Sequence, residues 1–261
     1  MNVCQEDEAR SVLVETLNVL GAFREQLVVV GGWVPDLLYP GKQHIGSIDV
    51  DLAVAPEALA DNAYSTIRAR MSDAGFRHHS PPTRFTRAAG QHEIKVDLIT
   101  GQYQAGQKVP AILLNELQIN TLRGLDLAFE YSAFMEITGR MPSGAINTVN
   151  ARVVLPEAFV LIKAFAMNDR LKAKDAYDVY FVASQYPGGP QRLGIRIAAM
   201  RPNGLVEEAI QILQAKFAQL RSIGPVHVAE VLSERGADAA QSQQAAYQYL
   251  TAMLQAISDE Q

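Results

Sequence analysis

Along the first hundred residues the hydrophobic positions switch between helical and strand-like spacing. Leu13, Leu17 and Leu20 stand at i, i+4 and i+7, with Val12 and Val19 beside them, and predict a helix over 6–23 with Gly21 as a stop. A β-branched run over 26–30 predicts a short strand ending in Gly31-Gly32, and one or two helical turns follow over 34–39. A second strand is expected over 47–54. A helix over 56–75 starts at Pro56, carries Leu59, Ala63, Ile67 and Met71 at helical spacing and ends at Gly75. After Ser80-Pro81-Pro82, strands are expected over 84–88 and 92–100. In the second of these Ile94, Val96 and Leu98 face one way and Glu93, Lys95, Asp97 and Ile99 the other. Residues 101–155 are less regular, with short strands expected over 129–136 and 151–155.

From Pro156 the period is helical. Helices are predicted over 156–167, 172–186, 205–221 and 237–258, the last with Leu250, Met253, Leu254 and Ile257 on one stripe. The chain therefore reads as α+β, with a mixed α/β domain over 1–150 and a mainly helical domain over 151–261.

Two carboxylates give the first half its chemistry. Asp49 and Asp51 are two apart in a predicted strand, so they leave the same face while Ile48, Val50 and Leu52 leave the other. Like charges held that close repel, and an oxygen-ligated divalent cation such as Mg²⁺ relieves the repulsion. Asp97 adds a third carboxylate on a strand expected to lie beside the first. Gly31-Gly32 directly follows a strand, where glycine lets a ligand approach the backbone closely and phosphate is favoured. Ser47 places a hydroxyl just before the D-x-D pair. Arg84 and Arg87 lie near the third carboxylate. Their i,i+3 spacing on a strand puts them on opposite faces, so only one faces phosphate. The five histidines have no metal-ligand spacing and read as surface residues.

The helical half carries Lys163, Arg170, Lys172, Lys174, Asp175 and Asp178. Asp175 and Asp178 share a helix face. Lys163 lies one helix earlier between apolar neighbours (FVLIKAFAM), where lysine is seldom buried without a partner. Two readings follow: an antiparallel helix pair with surface bridges worth ~0–1 kcal/mol each, or a lysine projecting into a cleft and neutralising triphosphate charge.

Composition narrows the class. The chain has 261 residues, 48% hydrophobic and 20% charged, with a net charge of −5. That excludes a protein that coats nucleic acid by overall basicity. Residues 187–222 hold a local excess of positive charge and are a candidate RNA-facing surface, although a solvated helix face explains them as well. The single Cys4 excludes an intramolecular disulfide and a cysteine-based zinc site. No signal-peptide pattern and no membrane-length apolar run occur, so a cytoplasmic protein is expected.

The strand–GG–helix unit, the apolar-flanked D-x-D and the later single Asp together resemble the polymerase-β-like nucleotidyltransferases. GGWVPD is similar to the GGW-x-x-D opening of antibiotic nucleotidyltransferases, with Trp33 and Asp36 at matching positions. PEAFVLIKAFAMNDRLKAKDAYDVYF resembles the C-terminal motif of the AbiEii-type nucleotidyltransferase (toxin) family. The resemblance covers roughly 27–183. It departs from the superfamily at Trp33, where many members have Ser or Thr, and in the longer spacing between Gly32 and Asp49.

The resemblance implies a nucleotidyltransferase fold, a small mixed sheet flanked by helices, followed by a helical domain. It implies NMP transfer from an NTP to an acceptor hydroxyl. Gly31, Gly32, Ser47 and Lys163 would bind nucleotide, and Asp49, Asp51 and Asp97 would hold two Mg²⁺ ions. Asp97 would bind the second metal or act as base, Lys163 would contact the phosphates, and Asp175 would orient Lys163 or act as base. Asp178 and Tyr177 would support helix packing. The implied setting is a toxin of a toxin–antitoxin or abortive-infection system acting on tRNA, with an antitoxin protein as partner. The alternatives are an antibiotic-type enzyme acting on a small molecule, an enzyme acting on a protein hydroxyl, or a non-catalytic nucleotide-binding or partner-binding module.

Overall fold

The structure, a computed structural model, describes residues 3–59, 63–79, 83–104, 107–108 and 119–260. The expected break at 80–82 and residues 60–62 of the helix expected over 56–75 lie outside them. The chain divides into two compact units, Met1–Leu155 and Pro156–Gln261.

The first unit is α+β. In chain order it contains α1 (Val3–Val19), β1 (Leu27–Val30), α2 (Val34–Leu38), β2 (Val50–Val54), α3 (Ala63–Asp73), β3 (Arg77–His78), β4 (Arg84–Ala89) and β5 (His92–Thr100). Then come the short β6 (Tyr103–Gln104), β7 (Gln107–Lys108) and β8 (Asn120–Thr121), α4 (Asp126–Glu130), β9 (Ser132–Arg140) and β10 (Ile146–Val154). An open mixed sheet runs β3-β4-β5-β2-β1-β10-β9, with β8 extending β5. β1 pairs antiparallel with β2 and parallel with β10, and β2 pairs parallel with β5.

β1 lies near the middle of this sheet. All four of its residues are buried, as a strand covered on both faces requires. α1 packs across the sheet against β9, β10, β4 and β5. Its buried surface is wider than the predicted stripe and takes in Ala9, Val12, Leu13, Val14, Thr16 and Leu17, with Leu20 buried just past its end. Each fully buried Leu or Val contributes ~1.5–3 kcal/mol. Polar contacts fix the helix to the β4–β5 hairpin: Arg87 makes a forked pair with Glu15 (2.6 and 2.9 Å), and His92 Nδ1 lies 2.6 Å from Glu8.

The second unit is helical: α5 (Pro156–Asp169), α6 (Ala173–Gln185), α7 (Gly189–Ala198), α8 (Gly204–Lys216), α9 (Ile223–Ser233) and α10 (Ala239–Asp259). α5 is buried continuously from Glu157 to Met167, which makes it the central helix of the unit. Gly194 lets α7 approach α10 closely: a Cβ there would lie 3.0 Å from the Ala256 methyl. Among the described residues no helix is long and apolar enough to cross a membrane.

Several expected elements shift. The stretch expected as one helix over 56–75 is a 3-10 turn at Pro56–Leu59 and then α3. The strand expected over 129–136 begins only at Ser132, because Phe129 and Glu130 complete α4. The boundary expected at 150 cuts β10. Residues 151–154 pair with β1 and β9, so they belong to the first unit. α7 and α9 fall outside the helices predicted from the apolar spacing. Both carry a proline in the first turn, Pro190 and Pro225, where it is tolerated but reads as a loop.

Candidate functional site

Pairing register, rather than sequence proximity, assembles the site in the first unit. Val30 pairs with Asp51, Asp51 with Asp97, and Asp97 with Arg84. Residues paired directly across strands put their side chains on the same face. One row across β2, β5 and β4 therefore carries two carboxylates and a guanidinium. Both carboxylates are partly exposed, while Val50, Leu52, Val96 and Leu98 on the other face are buried.

Gly31 closes this row from the end of β1. Its φ is +72°, a left-handed conformation that suits glycine. A Cβ there would overlap the Asp51 carboxyl group, with Cγ 2.8 Å away. The glycine turn thus lies directly against the second aspartate of the D-x-D pair. Gly31–Trp33 forms a 3-10 turn that leads into α2.

Asp49 differs from the expectation. The strand begins at Val50, and Asp49 lies in the bend before it. Ser47, expected to donate to phosphate, is buried and donates its hydroxyl to the Asp49 carbonyl at 3.1 Å, which shapes that bend. The preceding loop is left-handed at Gly41, Gln43 and Gly46. His44 is buried here rather than exposed, and its Nδ1 accepts from the Gly46 N–H at 3.1 Å.

Arg84 makes a forked ion pair with Asp97, with Nε to Oδ1 at 2.7 Å and Nη2 to Oδ2 at 2.9 Å. The Asp97 hydrogen bonds and charge raise its pKa, and the charges of Asp49 and Asp51 add to the effect. All three acidic groups therefore act on one cation. Arg87 points away to Glu15, so of the two arginines Arg84 is the one at the carboxylates.

A divalent cation has hard oxygen donors available here. The Asp51 carboxyl group fills the space beside Gly31, and a guanidinium drawn to Asp97, Asp49 and Asp51 marks the row as a place where positive charge is held. Asp97, however, gives both oxygens to Arg84. Among the described residues no three His, Cys, Asp or Glu side chains gather closely enough to cage a metal. The residues that would hold a cation are Asp49 and Asp51, with Asp97 engaged by Arg84.

The GGWVPD residues take other roles. Trp33 is 1% exposed, and its Nε1 has no hydrogen-bond partner among the described residues. Asp36 pairs with Arg10 of α1 at 2.8 Å. A cleft of about 300 Å³ lies beside them, lined by Glu6, Asp7, Arg10, Trp33, Asp36 and Gly41.

The second unit holds its own ionic cluster. Lys163 Nζ lies 2.8 Å from Asp175 Oδ1 and 2.7 Å from Asp178 Oδ2. Arg170 forks onto Asp175 at 2.9 and 3.1 Å, and Lys174 donates to Asp178 at 3.0 and 3.2 Å. Burial alone would lower the Lys163 pKa, but Asp178 and Asp175 together outweigh it and raise the pKa above the usual lysine range. For Asp175, burial acts upward, and Lys163 and Arg170 bring the net shift below the usual carboxylate range. The expected Lys163–Asp175 pair is therefore present. Asp178, assigned to helix packing, is an equal partner of Lys163. The i,i+3 spacing that puts Asp178 on the same helix face as Asp175 is the signal for this second contact.

Comparison of the chain with family profiles, with curated proteins and with solved structures finds no match.

Proposed function

We propose that the chain is a metal-dependent nucleotidyltransferase, transferring NMP from an NTP such as ATP to an acceptor hydroxyl. The observation that carries the reading is the placement of Gly31 against Asp51, with Asp51 in register beside Asp97. A glycine turn on a carboxylate pair admits a triphosphate backbone and its cation together. Asp49 and Asp51 are the ligands assigned to Mg²⁺. Mg²⁺ there would neutralise phosphate oxygens and position the α-phosphate. The acceptor oxygen forms a bond to the α-phosphorus, the bond to the bridging oxygen breaks, and pyrophosphate leaves. Asp97 is the carboxylate assigned to receive the acceptor proton, or to a second Mg²⁺, once released from Arg84. Gly31 and Gly32 would lie along the phosphates, while Ser47 acts through the Asp49 bend. Lys163, expected on the phosphates, and Asp175, expected to orient it, are closed on each other and on Asp178 within the second unit, and no phosphate contact is routed through them.

The resemblance to AbiEii-type toxins makes a tRNA end the first acceptor to test, with an antitoxin as the partner that would silence it. The cleft lined by Glu6, Asp7 and Asp36 against a single Arg10 favours a second acceptor, a cationic small molecule. Its size suits such a ligand.

The test incubates the protein with Mg²⁺, each α-phosphate-labelled NTP, and separately total RNA, protein and polyamine-type small molecules. Label is expected in one fraction with wild type and in none with Asp49→Ala or Asp51→Ala. Transfer that survives both substitutions would refute the proposal.

A further inference from the structure

The Arg84–Asp97 pair has a consequence beyond the reaction itself. If Asp97 serves a metal-dependent site, its two oxygens are not free to do so while Arg84 holds both. The pair is also not locked in. The Arg84 side chain is 37% exposed and that of Asp97 19% exposed. A pair this open is held by little net energy and can exchange partners.

We propose that Arg84 is an exchangeable counter-ion: it neutralises the carboxylate row before a metal binds, and turns to the triphosphate when the metal arrives. This rests on the nucleotidyltransferase reading and deepens it. Arg84 pairs with Asp97 across β4–β5, and Asp97 pairs with Asp51 across β5–β2, so the guanidinium faces the same row the cation would enter. A divalent ion entering alone meets a resident positive charge and is disfavoured. A triphosphate offers the guanidinium planar, forked oxygen partners like the carboxylate it leaves. Metal and nucleotide therefore bind cooperatively, each removing the other's obstacle. Arg87, on the other face and paired with Glu15, takes no part.

The probe is Mn²⁺, read by electron paramagnetic resonance without nucleotide and again with an ATP analogue that has a non-cleavable α,β bridge. Arg84→Gln is expected to bind Mn²⁺ alone about 10-fold more tightly than wild type, a typical size for such coupling. It should bind the analogue more weakly, and the analogue should no longer strengthen Mn²⁺ binding. Arg84→Lys keeps the charge but loses the fork, and should tighten Mn²⁺ binding by a smaller factor. This variant serves if Arg84→Gln does not fold. Equal or weaker Mn²⁺ binding by the folded variants overturns the counter-ion role while leaving the metal site standing, provided Asp51→Asn abolishes binding. Mn²⁺ binding that is absent, or indifferent to Asp51→Asn, overturns both the counter-ion role and the metal reading.

Discussion

Lys163→Met keeps most of the side-chain volume and removes only the ammonium. It leaves Asp175 and Asp178, whose side chains are 2% and 0% exposed, without the Lys163 ammonium that bridges them. Breaking a buried ion pair by removing one partner costs ~3–5 kcal/mol. Asp175 keeps Arg170 and Asp178 keeps Lys174, but those side chains are 52% and 30% exposed and so are screened by water. The lower end, about 3 kcal/mol, is therefore expected. Urea unfolding followed by far-UV circular dichroism is weighted toward the helical unit, which holds the six helices from α5 to α10, whereas the single Trp33 reports the first unit alone. Adding Asp175→Asn and Asp178→Asn to Lys163→Met removes the uncompensated charges and should restore at least half the loss. The pH dependence has two limbs. The raised Lys163 pKa gives stability that is complete below the unfolded value of about 10.4 and is lost as pH rises through the folded value. The lowered Asp175 pKa gives stability that is present above about 3.9 and is lost as pH falls through its folded value. Wild type and Lys163→Met should therefore converge at strongly alkaline pH. A loss below about 1 kcal/mol at neutral pH would refute the burial argument. A raised KM for NTP with an unchanged unfolding midpoint would instead place Lys163 on the phosphates.

Two further substitutions test other parts of the structure. Gly31→Ala forces a Cβ into the left-handed region and into the Asp51 carboxyl, and should cost ~1–3 kcal/mol and abolish Mn²⁺ binding; unchanged binding would remove Gly31 from the site. Tyr186→Phe removes a phenol that donates to Glu157 at 2.6 Å and whose pKa burial and that hydrogen bond push up to about 12. The tyrosine ultraviolet titration should lose a step near pH 12, with a loss of about 1 kcal/mol in stability.

Much of the site was legible because strand alternation is a local property. The period-two pattern over His92–Thr100 placed Asp97 opposite Ile94, Val96 and Leu98, and that strand occupies the expected residues. The glycine turn after Val30 was legible for the same reason. What alternation does not encode is register between strands. Asp51 and Asp97 become neighbours through a parallel pairing closed over more than forty residues of intervening chain, and Arg84 joins them through another strand. The sequence placed Arg84 near Asp97 but gave no sign that it would take both carboxylate oxygens. Asp49 fell outside its strand because the Ser47–Asp49 bend competes with strand pairing at that point. In the helical unit, Pro-Gly-Gly-Pro read only as a stop. Gly188, at φ 89°, ends the preceding connection, and Pro190 opens the first turn of α7, so one motif both ends and starts a helix.

The two ionic clusters use the same chemistry in different surroundings, and this separates their roles. A unit charge pair about 4 Å apart is worth ~1 kcal/mol in water and ~4 kcal/mol at an effective dielectric of 20. Arg84, 37% exposed, lies toward the first limit, and Lys163, with a side chain 8% exposed, toward the second. Drawing Lys163 onto a phosphate would break two short contacts and strand two buried carboxylates. Drawing Arg84 onto a phosphate releases one partly solvated carboxylate, which an arriving cation can take up. The exposed arginine is therefore the cheaper phosphate ligand, even though the motif resemblance points to the buried lysine. Nucleotide-analogue affinity should accordingly fall in Arg84→Gln and hold in any Lys163→Met protein that remains folded. The reverse order would mean that burial is not what decides which cation exchanges.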